Sequence, residues 1–230
     1  MMSSIKAIIP ARSGSKRVPH KNLYKLGNNT LCSLALDFAI KLNVDQVIFS
    51  SDSDHYLDLH SSFPVTLHKR SAEASSDSAT DIDVLHDIYV DKSFTPDDIC
   101  IWLRPTSPFR RVDECLAALG KFISSTSYQT LRSVQCVSSH PYWMKKLDIA
   151  TMALSPAFSN YSEISHPQSQ LLPPFYEPTC EFDFFRPSYS FAKKCLLPSP
   201  MMAYITNSPF VDIDTLSDIH YASFLHSLNA

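Results

Sequence analysis

Short apolar runs alternate with amphipathic stretches through the first half of the chain. Residues 5–10 carry Ile5, Ala7, Ile8 and Ile9 and stop at Pro10, which predicts a buried strand. Residues 33–42 place Leu34, Leu36, Phe38, Ala39 and Leu42 at helical spacing. Val47-Ile48-Phe49 predicts a second strand, ending in Ser50-Ser51-Asp52, and a helix over 53–61 and a short strand over 64–68 follow. From Ser78 to Val90 another helix is expected, with Ile82, Leu85, Ile88 and Tyr89 on one side. Ile99 to Leu103 reads as a strong buried strand, followed by Arg104-Pro105-Thr106-Ser107-Pro108 and a helix over 112–123. Strand and helix in turn predict an α/β chain with a mostly parallel sheet.

The pattern loosens after residue 125. Residues from about 140 to 200 hold many of the 16 prolines and read as an irregular or extended arm. A strand is expected near 201–206, then Val211-Asp212-Ile213-Asp214, then a last helix over 215–227. Neither a repeat nor a linker interrupts the chain, so all 230 residues read as one domain with an elaborated second half.

Composition sharpens this picture. A hydrophobic share of 44% supports a sizeable core and argues against disorder. Glycine is scarce: Gly14, Gly27 and Gly120 are too far apart for GxGxxG or GxxxxGK[ST]. A dinucleotide fingerprint and a Walker loop are therefore excluded, and a phosphate site must use side chains as well as backbone. Cys32, Cys100, Cys115, Cys136, Cys180 and Cys195 include no CxxC pair, which argues against a zinc ribbon. With no leader-like or membrane-length apolar stretch, the expectation is a reduced, cytoplasmic protein whose cysteines act as small core hydrophobes.

Net charge is −3, which gives no reason to expect nucleic acid as a partner. Its distribution says more. Six bases (Lys6, Arg12, Lys16, Arg17, Lys21 and Lys25) and no acid precede Asp37. Such a run is also what a solvated face shows. However, it directly follows the first strand, as Arg104-Pro105-Thr106-Ser107 follows another. Open parallel sheets bind ligands outside the carboxyl ends of their strands. Pro19 biases Val18 away from helix, so an extended cationic loop is placed at that edge, suited to a small polyanion.

The stretch Ile8-Ile9-Pro10-Ala11-Arg12-Ser13-Gly14-Ser15-Lys16-Arg17-Val18-Pro19-His20-Lys21-Asn22 resembles the signature of the acylneuraminate cytidylyltransferases, the CMP-sialic acid synthetases. Phe49 through Asp52, Arg70 through Asp77, Leu103 through Arg110, and Asp212 through Thr215 are similar in order and spacing. The resemblance implies a three-layer Rossmann-like nucleotidyltransferase fold. It also implies CMP transfer from CTP to the anomeric hydroxyl of a nonulosonic 2-keto sugar acid, with Mg²⁺ and pyrophosphate release. By motif position, Arg12, Lys16 and Lys21 would hold the triphosphate, with Ser15 and Arg17 contributing. Asn22 and Arg70 would lie at the cytosine and ribose end, and Asp212 and Asp214 would hold Mg²⁺. Arg104, Thr106 and Ser107 would face the acid. A homodimer formed through the arm, near the partner's site, is also implied; its aromatic residues are Tyr161, Phe175, Tyr176, Phe182, Phe184 and Phe185.

Several of these residues have a plainer reading as well. Asp212 and Asp214 share one side of an extended segment and suit a hard cation, yet Asp214 could instead N-cap the last helix. Asp52 would orient a loop or cap the next helix. Arg104 would grip a planar carboxylate or pair with a neighbouring acid. His140-Pro141-Tyr142-Trp143 would contact a sugar or form a packed turn. Departures from the family pattern, at Ser13, Arg104, Glu177, Thr179 and Cys180, fall mainly on the acid side. This leaves open another acid, Kdo-like or a phosphonate, and a nucleotide-binding homologue without catalysis.

Overall fold

A computed structural model describes residues 4–91, 94–158 and 171–228. The first strand, β1 (Ile5–Pro10), is followed by an irregular loop and a 3-10 turn at Lys21–Leu23. A small hairpin of β2 (Lys25–Leu26) and β3 (Asn29–Thr30) leads into α1 (Leu31–Lys41). Gly27 turns this hairpin at φ +62°, and a Cβ there would collide with the His226 ring. There follow β4 (Gln46–Ser51), α2 (Asp54–Leu59), β5 (Thr66–Lys69), α3 (Asp81–Asp91), β6 (Ile99–Trp102) and α4 (Val112–Ser124). Each was expected from the apolar pattern. The cap decides where α3 starts: Thr80 N and Oγ1 donate to Asp83 Oδ2 at 2.8 and 2.6 Å, so the helix opens at Asp81, not Ser78.

The second half contains β7 (Thr130–Cys136), β8 (Lys145–Asp148), β9 (Ala153–Pro156), β10 (Tyr176–Phe185), α5 (Pro187–Lys193), β11 (Met202–Ile205) and α6 (Leu216–Leu228). Among the described residues the main sheet has seven strands in the order β11-β7-β10-β6-β1-β4-β5, and only β10 runs against its neighbours. The prediction of an irregular arm over 140–200 is corrected here. Residues 176–185 form a ten-residue strand in the middle of the sheet. Pro178 stands at the register shift between Pro178 and Asp183, where a proline is tolerated and the ladder resumes beyond it. Phe182, Phe184 and Phe185 are fully buried core residues, not arm aromatics. Tyr161 lies outside the described residues.

Alternation along the strands builds the layers. Ala7, Ile9, Val47, Phe49, Ile99 and Ile101 pack with α1 and α4, while Ile8, Ile48, Cys100 and Trp102 pack with α3. A third cluster joins Val18, Leu26 and Leu31 to Val211, Ile213, Ile219 and Ala222. It ties the basic loop to the segment preceding α6. Cys32, Cys100 and Cys115 are core residues as expected, whereas Cys136 and Cys195 are exposed. Among the described residues, no helix is long and apolar enough to cross a membrane.

Candidate active site

The loops after β1, β5 and β6 leave the parallel sheet at the same edge, and there they line a pocket of about 190 Å³. Its walls include Arg12, Ser15, Lys21, Asn22, Arg70, Arg104 and Thr106, seven of the residues singled out from the sequence. Ser13 explains how the glycine-poor loop is held. Its N and Oγ donate to the Asp52 carboxylate at 2.7 and 3.0 Å, while Ser53 caps α2, so Asp52 orients the loop. Asn22 is buried, and its Nδ2 donates to the Arg12 carbonyl at 2.9 Å, closing the loop on itself. The buried Arg70 guanidinium donates to Ser50 Oγ and Ser50 O at 3.0 and 3.2 Å. Burial lowers its pKa from the usual guanidinium value. Lys16 and Arg17 do not line this pocket. Lys16 pairs with Asp77 at 2.9 Å, and Arg17 with Asp214 at 3.0 Å.

Asp214 also accepts from Lys21 Nζ at 2.8 Å. That hydrogen bond, with the Arg17 charge, holds its carboxyl below the ordinary aspartate range. The cap of α6 belongs to other residues. Asp218 accepts from Thr215 N at 2.7 Å and Thr215 Oγ1 accepts from Asp218 N at 3.4 Å, leaving Asp214 free of that duty. Asp212, half-buried, makes no side-chain hydrogen bond or ion pair among the described residues. Between the two carboxylates, Ile213 is buried against Val18, and its N donates to Thr106 O at 2.9 Å. Apolar burial thus carries two acids to a loop some 200 residues away in sequence. Neither carboxylate lines the pocket, and Asp212 is the one of the two not already held by a cation; Mg²⁺ needs only one or two protein carboxylates when phosphates supply further oxygens. Among the described residues no cluster of three or more potential metal ligands occurs.

A second cavity of about 360 Å³ shares Asp81 and Arg104 with the first and continues to Arg132, Lys194, Leu196 and Leu197. Arg104 donates to Asp81 Oδ2 at 2.6 Å and to Asp183 Oδ2 at 2.7 Å. Burial pulls its pKa down, but Asp183 and Asp81 outweigh this and raise it. Arg132 Nε grips the same fully buried Asp183 at 3.0 Å. Arg104 is thus ion-paired at the junction of the two cavities. Thr106 reaches the pocket wall, but Ser107 is buried and donates to Thr179 O at 3.4 Å. Arg110, partly buried, donates to the carbonyls of Arg104 and Glu181, and desolvation lowers its pKa to about 10. His140 and Tyr142 belong to a packed turn: their rings lie 5.0 and 5.2 Å from Phe175, and His140 Nε2 meets Pro173 O at 2.9 Å.

Arg132, Asp183 and Lys194 escaped sequence reasoning. The available signal was chemical: a charged residue inside each of the apolar strands 130–136 and 176–185 implies a buried partner.

Comparison with known proteins places the chain. Residues 6–145, more than half of it, match the cytidylyltransferase family model. An N-acylneuraminate cytidylyltransferase of Escherichia coli O18:K1:H7 is 33% identical over 60% of this chain and 32% of its own length. A CMP-N,N'-diacetyllegionaminic acid synthase of Legionella pneumophila is 27% identical over 98% of this chain and 97% of its own. The chain spans about half, or less, of the length of several other curated relatives. A solved CMP:2-keto-3-deoxy-manno-octonic acid synthetase complexed with CTP superposes with a TM-score of 0.72 at 16% identity. That match covers 99% of this chain and 100% of that one, and shows a common fold.

Proposed function

Because the chain belongs to the cytidylyltransferase family, we propose that it transfers CMP from CTP to the anomeric hydroxyl of a sialic-acid-like nonulosonic acid, releasing pyrophosphate. One observation carries this reading: a cation-lined pocket opens into a second cavity of different character, with Arg104 and Asp81 at the junction. The first suits a nucleoside triphosphate. Arg12 and Lys21 place fixed positive charge where the pyrophosphate accumulates negative charge, which stabilises the transition state. Lys16 and Arg17, on the same loop, add to that field from outside the pocket.

The second cavity suits the acid. The Lys194 side chain makes no hydrogen bond or ion pair among the described residues, and Arg132 spends one face on Asp183. Leu196, Leu197 and Ile82 give an apolar wall for the remainder of the acceptor. The hydroxyl oxygen attacks the α-phosphorus, the bond to the β-phosphate oxygen breaks, and the hydroxyl proton leaves to solvent or base. Asp212 and Asp214 would hold Mg²⁺, which supplies charge neutralisation on the phosphate oxygens.

Among the described residues the hairpin β8–β9 ladders with no other strand, and it exposes Leu147, Ile149, Met152 and Leu154. Such a patch supports a homodimer formed through it. Six unpaired cysteines support a reducing compartment such as the cytoplasm. The deciding experiment is a panel of 2-keto sugar acids with CTP and Mg²⁺, reading pyrophosphate. A nonulosonic acid should give the fastest release. Binding of CTP without pyrophosphate from any acid would mean a non-catalytic homologue.

A further inference from the structure

Arg70 is a buried cation in the nucleotide pocket with no carboxylate at ion-pair distance among the described residues. Its side chain rests on Ser50 alone, through Nε to Oγ and Nη2 to the carbonyl. Guanidinium nitrogens only donate, so Ser50 Oγ accepts from Arg70 and has a single proton left to give. Its neighbour is His68 Nδ1, 3.0 Å away, directly opposite Ser50 across the parallel pair β4–β5. Among the described residues no other acceptor lies within hydrogen-bond distance of the Ser50 hydroxyl, so the arrangement that satisfies its proton leaves His68 Nδ1 bare and the ring proton on Nε2. Nε2 lies 3.5 Å from Asp87 Oδ2 on α3. That same oxygen accepts from Ser71 N at 3.0 Å, the residue after Arg70. The chain of contacts thus starts at the Arg70 side chain and returns to the backbone beside it.

We propose that His68 and Asp87, which line no part of the nucleotide pocket, are positioning residues for nucleotide binding: they set the Ser50 hydroxyl so that it presents a lone pair to Arg70. This rests on the assignment of the first pocket to CTP. Ser50 is fully buried and His68 is 1% exposed, so no water replaces a missing acceptor. Without a bare Nδ1 the Ser50 proton has no partner and turns against the Arg70 donor.

The test is direct CTP binding by calorimetry on four full-length proteins, with KM for CTP and for the acid measured alongside. His68→Leu removes both ring nitrogens at similar bulk and should weaken CTP binding about tenfold, as expected for one lost hydrogen bond to a charged group. KM for the acid should stay within about twofold of wild type. His68→Asn puts an amide oxygen near the Nδ1 position and should recover most of the loss. Asp87→Asn offers an amide donor to Nε2, favours the proton on Nδ1, and should weaken CTP about as much as His68→Leu. Asp87 lies nearer the surface, so this variant keeps the test available if His68→Leu fails to fold. The proposal is overturned if CTP affinity is unchanged in Asp87→Asn, if His68→Asn is no better than His68→Leu, or if both substrates weaken equally. Wild-type protein that binds CTP but turns over no acid refutes the acceptor assignment alone. Wild-type protein that binds no CTP refutes both.

Discussion

Along the ligand edge of the sheet, the nucleotide side draws Arg12, Ser15, Lys21 and Asn22 from one loop of eleven residues, whereas the acceptor side gathers Asp81, Arg104, Arg132, Asp183 and Lys194 from five separate segments. The charge accounting differs too. On the nucleotide side cations face a pocket, and the acids that answer them, Asp77 and Asp214, lie at its margin. On the acceptor side two guanidiniums converge on one buried carboxylate. A site for a triphosphate with its metal can leave positive charge uncompensated until the ligand arrives. An acceptor site for a single carboxylate needs most of its charges neutralised internally, because unpaired buried charges cost several kcal/mol.

The comparison can be broken first at the metal pair. Asp212→Asn should lower kcat by at least ~10²-fold with an unchanged melting profile, since developing pyrophosphate charge goes uncompensated. Near-normal turnover would move the metal elsewhere. On the acceptor side, Arg104→Gln should raise KM for the acid about 10- to 150-fold, with KM for CTP nearly unchanged. It should also lower Tm, because Asp183 is left with Arg132 alone. Lys194→Gln sharpens the same point at a smaller scale: KM for the acid should rise about 3- to 10-fold, the loss of one exposed cation, with no change in Tm. A rise in KM for CTP in either variant would merge the two sides into one.

Below the acceptor side, burial pushes the Glu181 carboxyl up to about 7 against an ordinary 4.5. The folded state then holds the proton more tightly than the unfolded chain. Its stabilising contribution is complete below about 4.5 and is lost as pH rises through about 7. Glu181→Gln should therefore melt about 2–4 °C above wild type at pH 8, with the difference vanishing by about pH 4.5. The smallest effect is expected at the hairpin. Leu154→Asp should halve the mass by light scattering while leaving monomer Tm close to wild type, since Leu154 is exposed within one chain.

Legibility follows the same division. Strands β1, β4 and β6 announce themselves because both faces are covered, which makes their apolar runs continuous. β10 was hidden by Pro173, Pro174 and Pro178 at its entrance and by Glu181 and Asp183 within it. Its charges are tolerated only because Arg132 on β7 and Arg104 after β6 lie beside it, a fact of pairing that no local window contains. Similarly, only the structure decides whether Asp214 caps α6, since the cap is made by Thr215 and Asp218.

The sequence by itself determined the α/β class, the edge of the sheet that carries the cation-lined pocket, and the cationic loop from Arg12 to Asn22. These depend on periodicity and on residues that are neighbours along the chain. The tertiary structure decided which acids meet which bases. Ile213 buried against Val18 brings Asp214 to Lys21, and the pairing of β4 with β5 sets His68 beneath Ser50. Ion pairs and hydrogen bonds act over a few ångströms, and only the packed apolar core brings groups nearly two hundred residues apart within that range.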